Sequence, residues 1–341
     1  MAKTPDPLDR LIGDRPSRWQ RLRARIDRLF VKEDEDGTRR RRFLPWVLGV
    51  FIAIIAYYLI GAVLTHVIDD DPDYKVAAPT AGGSLAVDMA ASLIRREVDE
   101  HGWTANDPVF YPGWILDNKP NYQQGIIYAL SRFAIEMSDQ IGRARGSSQV
   151  DSDLDEAAGL LRYPGDRWVF DPSSTLAPTA TADSQYRSAA DALLRYNRRL
   201  AAGEAVLDLR ADNLLATLER MSSDLGSSSA TIAEHLATQG GWIIDTHADD
   251  IFYSVKGRLY GYTMILQALS VDFAEVIETH GLQAVWAQMM ASLHDAIALS
   301  PWIVISGDPD SQALPSHLAG LGFYLLRART QMREVTNVLE N

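Results

Sequence analysis

The chain contains no cysteine in its 341 residues. That excludes disulfides, thiolate metal sites and a lipid-modified cysteine anchor. Alternation of apolar and polar residues, the mark of half-buried strands, is nearly missing. The only strand-like runs are Arg167-Trp168-Val169-Phe170 and Trp302 to Ile305. No G-x-S-x-G elbow, P-loop, dinucleotide fingerprint or H-E-x-x-H pair occurs, and no serine is paired by spacing with a histidine and an acid. Charge is missing as well from one long stretch: Phe43 to Ile68 carries none, and only Thr65 and His66 are clearly polar there.

That uncharged stretch organises the rest. As a helix it spans about 39 Å at 1.5 Å per residue, more than the roughly 30 Å hydrocarbon core of a bilayer. Pro45 falls in its first turn, where a missing N–H costs little. Trp46, Tyr57 and Tyr58 are interfacial anchor types. A buried core helix seldom needs so long an uncharged run. Gly49 and Ala53 form a small-xxx-small pair that permits close approach of a second copy, so a homo-oligomer is one expected state.

The flanks give the direction. Arg39 to Arg42 precede the run; Asp69, Asp70, Asp71 and Asp73 follow it. Residues 1–42 carry 13 Lys and Arg against 8 Asp and Glu, the remainder 20 against 37, so the net of −12 splits into +5 and −17. Basic residues stay cytoplasmic, which predicts the N-terminus inside and the large C-terminal part outside. The acidic C-terminal part argues against nucleic acid as a partner. Arg40-Arg41-Arg42-Phe43-Leu44 resembles a twin-arginine export signal. The apolar run is too long for a cleaved leader, however, and the small-residue site near Val76-Ala77-Ala78 lies beyond the acidic patch.

The sequence therefore divides into a cytoplasmic basic tail (1–42), a transmembrane helix (43–68), a linker (69–83) and two helical halves (84–202 and 203–341). Within the tail, Arg18, Trp19, Arg21, Leu22, Arg25, Ile26 and Arg28 read as a basic amphipathic helix suited to an anionic membrane surface. Beyond the linker, apolar residues follow a helical period: Ile126, Ile127, Leu130, Ala134, Met137 and Ile141 in one segment, Leu321, Leu325, Ala328, Met332 and Val335 in another. The expected fold is all-α, a single transmembrane helix followed by a helical-bundle domain. Ser147-Ser148 and Ser222 to Ser229 read as polar connectors, the latter capping a helix bearing Ile232 and Leu236.

The two halves share blocks in the same order. Gly102-Trp103 and Gly241-Trp242 lie 139 positions apart, as do Ala129-Leu130-Ser131 and Ala268-Leu269-Ser270. Asp107 to Tyr111 aligns with Asp249 to Tyr253 at an offset of 142, and Leu193-Leu194-Arg195 with Leu325-Leu326-Arg327 at 132. On that alignment Gly102 and Gly241 are left-handed helix caps, and Phe110 and Phe252 are equivalent buried wedges.

Two places have the residue types for chemistry or recognition. Asp245, His247, Asp249 and Asp250, with His235 upstream, offer carboxylates and imidazole for a divalent ion, although aspartates before a helix more often cap turns. The run containing Tyr111, Trp114, Asp117, Asn118, Asn121 and Tyr122 concentrates turn formers, aromatics and amides, as binding loops do; its bland reading is a structural loop capping the next helix. Neither requires a cofactor, and binding is favoured over catalysis.

The order of basic tail, single anchor, Gly102-Trp103-Thr104-Ala105-Asn106-Asp107-Pro108, Leu116-Asp117-Asn118-Lys119-Pro120-Asn121 and the Ala-Leu-Ser helix resembles a bacterial inner-membrane family catalogued as a domain of unknown function. The resemblance runs from about Phe43 onward and implies an envelope location without implying an activity. The expectation is a single-pass inner-membrane protein whose periplasmic domain binds or scaffolds an envelope partner. The alternatives are a metal-dependent envelope hydrolase and a binder of small amphiphiles in a groove between the halves.

Overall fold

A computed structural model describes Trp19, Lys32–Glu33, Arg39–Arg40 and residues 44–144, 150–170, 177–239, 245–301, 304–305 and 316–340. The chain forms two compact units, Met1–Gly61 and Ala62–Asn341. In the first, Trp19 is helical and exposed; Arg18, Arg21, Leu22, Arg25, Ile26 and Arg28 lie outside the described residues. A two-residue antiparallel ladder pairs Lys32 with Arg40 and Glu33 with Arg39. Helix α1, Leu44–Thr65, follows and runs past the unit boundary. It is long and apolar enough to cross a membrane, and its apolar side chains from Trp46 to Leu64 are exposed on every face.

The second unit is helical throughout its regular structure. Helix α2 is Leu85–Arg95, α3 Asn118–Ala144, α4 Ser152–Leu161 and α5 Ala182–Ala201. The second half has α6 at Ala211–Gln239, α7 at Thr246–Asp272, short α8 at Ala274–Thr279, α9 at Gln283–Ile297 and α10 at His317–Leu339. The starts follow ordinary capping chemistry: Ser84, Asp151, Thr181, Asp245 and Ser316 each accept a bond from a first-turn N–H. Asp272 adds a long-range cap to α2, accepting from Ser84 Oγ (2.6 Å), Leu85 N (2.8 Å) and Ala86 N (3.1 Å). A carboxylate there also opposes the positive end of the helix dipole.

The halves repeat one packing order. In the first, α2 packs on α5, α5 on α4 and α4 on α3; in the second, α6 packs on α10, α10 on α9 and α9 on α7. The 27-residue helices α3 and α7 make the most extensive helix–helix contact, at the centre. A Cβ built on Gly257 would lie 2.0 Å from the Tyr122 carbonyl oxygen, and one on Gly125 would lie 2.3 Å from that of Ser254. The contacts are reciprocal at an offset of 132, which is also the spacing of the Leu-Leu-Arg pair. Glycine is required at both positions because backbone meets backbone.

The loop register expected from sequence is therefore corrected. Phe110 is 55% exposed in a turn, whereas Phe252 is fully buried inside α7. Pro108 and Pro112 keep residues 107–111 out of an α-helix and only a short 3-10 turn follows at Pro112–Ile115, while Asp245 starts an α-helix ahead of Phe252. Gly102 does adopt the left-handed cap, at φ 73°; Gly241 lies outside the described residues, as do Ser147 and Ser148. Ser222 to Ser229 is not a connector but the middle of α6. Its hydroxyls bond back one turn, Ser227 to the Ser223 carbonyl and Ser228 to that of Asp224, so they do not compete with the helix.

Candidate functional site

The densest polar chemistry lies where the chain leaves α1. Lys119 and Tyr122 share one face of α3; Lys256 and Tyr260 share one face of α7. Because α3 and α7 touch through glycines, both faces come together under residues 65–71. There Lys119 Nζ donates to the carbonyls of Thr65 (2.9 Å) and His101 (2.7 Å). Tyr122 Oη donates to the Asp69 carbonyl at 2.8 Å, and Tyr260 Oη to that of Asp71 at 2.9 Å. Lys256 Nζ reaches Asp70 Oδ2 (2.5 Å), the Leu299 carbonyl (2.6 Å) and Ser300 Oγ (2.7 Å).

Arg96 completes the clamp from the π turn Arg96–Glu100 that ends α2. Its guanidinium donates to the Asp69 carbonyl (3.1 Å), to Tyr260 Oη (2.7 Å) and to Glu97 Oε1 (2.9 and 3.0 Å). It also faces the rings of Tyr74 and Tyr260 at 4.7 and 4.9 Å. Arg96, Lys119, Tyr122, Lys256 and Tyr260 are all at most 1% exposed. Burial pushes Lys119 and Lys256 below the usual lysine range, opposed by Glu97 and Asp107 for the first and by Asp70 for the second. Burial also opposes ionisation of Arg96 and Glu97. For Arg96 the charges of Glu97 and Asp69 with the Tyr260 and Tyr122 hydroxyls together outweigh it, and for Glu97 the hydrogen bonds and charges of His101 and Arg96 together do, so both shifts favour the charged pair. The expected linker is thus held along its first residues rather than acting as a free spacer.

Beside the clamp, two stretches far apart in sequence converge. Asn121 Nδ2 donates to Asp250 Oδ1 at 2.7 Å. The Asn118 amide, turned so that its nitrogen faces the acids, donates to Asp249 Oδ2 (2.5 Å) and Asp117 Oδ1 (3.2 Å). Burial, then Asp117 and Asp250, push Asp249 up to about 6 against the Asn118 hydrogen bond. Burial and Asp117 also raise Asp250, against His247 and Asn121. Tyr253, pushed up to about 12 by burial and then by Asp249, Asp70 and Asp117, places the clamp and the acids in one electrostatic neighbourhood.

Asp245 and His247 do not join them. Asp245 caps α7, accepting from His247 N (3.0 Å) and Ala248 N (3.3 Å), and its other oxygen meets His235 Nε2 at 2.8 Å. The His247 ring lies edge-on to His235. Among the described residues no three histidine, aspartate or glutamate side chains are arranged to hold a metal ion. The cluster of Asp245, His247, Asp249 and Asp250 read from sequence is corrected accordingly: the first acid is a helix cap, and the last two are held by amides of α3.

Tyr122 likewise separates from its sequence neighbours, since it points into the clamp. Tyr111 and Trp114 belong instead to an exposed aromatic loop built on the 3-10 turn Pro112–Ile115. Phe110 packs edge-on against Trp168 at 5.7 Å, and Trp168 against Phe170 at 5.9 Å. Tyr111, Trp114, Ile115 and Phe170 are 44–55% exposed. Gly113 lets the turn close over Asp107, whose carboxylate burial pushes up to about 6 against the Lys119 charge. Trp103, in contrast, is structural: its Nε1 donates to the Gly165 carbonyl and its ring lies edge-on to Tyr186.

Sequence reasoning missed Arg96, Glu97, Lys119, Lys256 and Tyr260. The available signal was a lysine among the aromatics and glycines of Tyr253 to Tyr262, where Arg258 is the only other charge, and the charged run Arg95-Arg96-Glu97 set between Ile94 and Val98.

No curated protein and no solved structure matches the chain. One family profile does, over residues 46–246 and 234–341, which together span most of the sequence. The chain therefore belongs to the bacterial family described as "Uncharacterized protein conserved in bacteria (DUF2333)".

Proposed function

We propose that the protein is a single-pass protein of the bacterial inner membrane, with a cytoplasmic basic tail and a periplasmic helical domain that binds or scaffolds other envelope components. The observation that carries this reading is the clamp on residues 65–71. Five buried side chains from three helices hold the segment that follows the apolar helix. A flexible tether would need none of them; a platform that must present its surface at a fixed height above the bilayer does. The all-round apolar surface of α1 and the change from Arg39–Arg42 to Asp69–Asp73 support the orientation. The Gly49–Ala53 pair supports pairing of two copies through α1.

The test is affinity capture from membranes under mild crosslinking, with a version carrying the same anchor but an unrelated periplasmic domain as control. A discrete partner enriched only by the native domain is expected; enrichment of the same proteins by both would sink the reading.

The convergence of Asp117, Asp249 and Asp250 favours a second reading, an envelope hydrolase that uses these acids directly. Hydrolysis of chromogenic esters by the wild type and its loss in Asp249→Asn are expected; equal rates in the two would exclude it. As for an amphiphile groove, α3 and α7 meet through backbone at the centre; open clefts lie within the first half (about 380 Å³, lined by Ile127, Tyr128 and Tyr186), within the second (about 700 Å³, beside Arg329 and Arg333) and, smaller, where Asn121 meets Asp250, Ser254 and Arg258 (about 220 Å³).

A further inference from the structure

We infer that the aromatic loop 109–115, with Phe170 beside it, is a second membrane contact that inserts into the headgroup region of the leaflet where α1 emerges; this rests on the membrane reading above. Residues 62–65, the last turn of α1, fold with the helical domain. The Thr65 carbonyl is held by Lys119 Nζ at 2.9 Å, and Lys119 stands only four residues beyond Ile115. The point where the apolar run stops, which is where the chain enters the headgroup layer, is thereby fixed to the base of the loop. What the loop displays fits that layer. Tyr111 and Trp114 are amphipathic aromatics of the kind enriched at membrane interfaces, and both are about half exposed.

Of the acids that flank the loop, Asp107 is folded inward under Gly113, while Asp117 is exposed at the start of α3, two residues beyond Ile115, and marks the depth at which insertion stops. The remaining loop residues from Val109 to Ile115 are uncharged, so the contact is apolar and interfacial rather than electrostatic. A soluble surface gains nothing by displaying a Trp, a Tyr and an Ile side by side. Next to the exit point of an anchor the same residues fix the domain's tilt, with the clamp as the first attachment and the loop as the second.

The absence of cysteine makes the test direct, because one introduced thiol is unique. Trp114→Cys and Ile115→Cys are each labelled with an environment-sensitive fluorophore in the full chain. The labelled protein is reconstituted as single copies in nanodiscs of phosphatidylethanolamine and phosphatidylglycerol, with headgroup-proximal spin-labelled lipid for the loop and Phe323 positions and mid-chain spin-labelled lipid for the Ile55 position. Ile55→Cys, in the middle of α1, reports whether the anchor is in the bilayer; Phe323→Cys, an exposed site on α10, reports a surface remote in sequence. The expected result is a blue shift and loss of intensity through lipid quenching at both loop positions, with neither at Phe323. Circular dichroism confirms that each variant is helical, and two loop positions guard against one misfolding. Quenching at Ile55 without quenching at either loop position overturns the inference and leaves the anchor intact. Lack of quenching at Ile55 overturns the anchor itself. A blue shift at the loop without lipid quenching means another occupant, a protein partner or a second copy, and also overturns it.

Discussion

The Lys256–Asp70 contact makes an asymmetric prediction. Lys256 is 1% exposed and Asp70 is 30% exposed across an ion pair of 2.5 Å. Removing one member of a fully buried pair costs about 3–5 kcal/mol, because the other charge is stranded. Here the two deletions differ. Asp70→Ala strands a buried ammonium with only the Leu299 carbonyl and Ser300 Oγ as acceptors. Those neutral partners lower the expected penalty to about 2–3 kcal/mol. Lys256→Met removes the buried charge itself and leaves a carboxylate that can turn to water, so about 1 kcal/mol is expected. Urea unfolding of the full chain in detergent, followed by tryptophan fluorescence, measures both. With an m-value near 3 kcal/mol/M, Asp70→Ala should unfold about 0.7–1 M earlier than wild type and ahead of Lys256→Met.

The pH dependence gives an independent check. Burial lowers the folded-state pKa of Lys256, and Asp70 is what holds it up. Without Asp70 it falls further below the unfolded value, so the unfolded chain binds more protons between the two values. Stability of Asp70→Ala must then rise with pH across that window as the buried lysine becomes neutral. Its penalty is largest at neutral pH and shrinks toward pH 10, whereas that of Lys256→Met moves the other way, because the variant lacks the rise in stability that the lowered wild-type lysine gives as pH increases. If Asp70→Ala costs no more than Lys256→Met, or if its penalty is flat from neutral pH to 10, the clamp is not held by this charge.

Asp249, pushed up to about 6, binds a proton in the folded state at pH values where the unfolded chain does not, so it destabilises increasingly as pH rises through that range. After discounting for solvent screening, Asp249→Asn should stabilise by about 1–2 kcal/mol at pH 7.5 and by nothing at pH 4, in melts of the full chain. Gly125→Ala and Gly257→Ala place a methyl against the opposite backbone and should each cost at least about 1–3 kcal/mol, whereas Gly159→Ala meets open space and should be neutral or stabilising. Phe252→Ala should cost about 3–5 kcal/mol and Phe110→Ala under about 1 kcal/mol, in the same denaturant series. A periplasm-dependent reporter fused after Asn341 should be active, and activity of a cytoplasm-only reporter there would reverse the orientation.

The helical class, the apolar span and the cap at Gly102 were legible because each depends on a local signal: a 3.6-residue period, an uncharged run, a glycine at a helix end. The repeat was legible only in part. Short blocks of Gly-Trp and Ala-Leu-Ser pointed to an offset of 139, but the halves are matched at their centre by what two helices need to touch. That requirement selects glycines, and Gly125 and Gly257 carry no side chain for a sequence comparison to weigh. The aspartate-aromatic blocks misled for a related reason. Asp249 to Tyr253 and Asp107 to Tyr111 share composition, yet two prolines make one a turn while a capping aspartate makes the other a helix, so the same residue types end up buried in one place and exposed in the other. Asp117, Asn118 and Asn121 were singled out separately from Asp249 and Asp250; their meeting depends on the crossing of α3 and α7, which no spacing within either stretch encodes.

The clamp was the least visible, and the reason is physical. A buried lysine looks in sequence like any solvated lysine on a helix, because its identity as a core residue depends on acceptors supplied from elsewhere. Lys119 obtains carbonyls from Thr65 and His101, and Lys256 obtains a carboxylate from Asp70. Each acceptor lies between 18 and 186 positions away, and most are backbone groups whose residue type is irrelevant to the contact. That also explains why the linker reads as an ordinary acidic spacer. Asp71 is bound through its carbonyl, Asp69 through its carbonyl with a longer carboxylate contact to Arg96 at 3.4 Å, and Asp70 through its carboxylate, so the Asp71 side chain carries the least information about the contact. Asp70 is accordingly the linker position where substitution should reveal the clamp, and Asp71 the one where it should not.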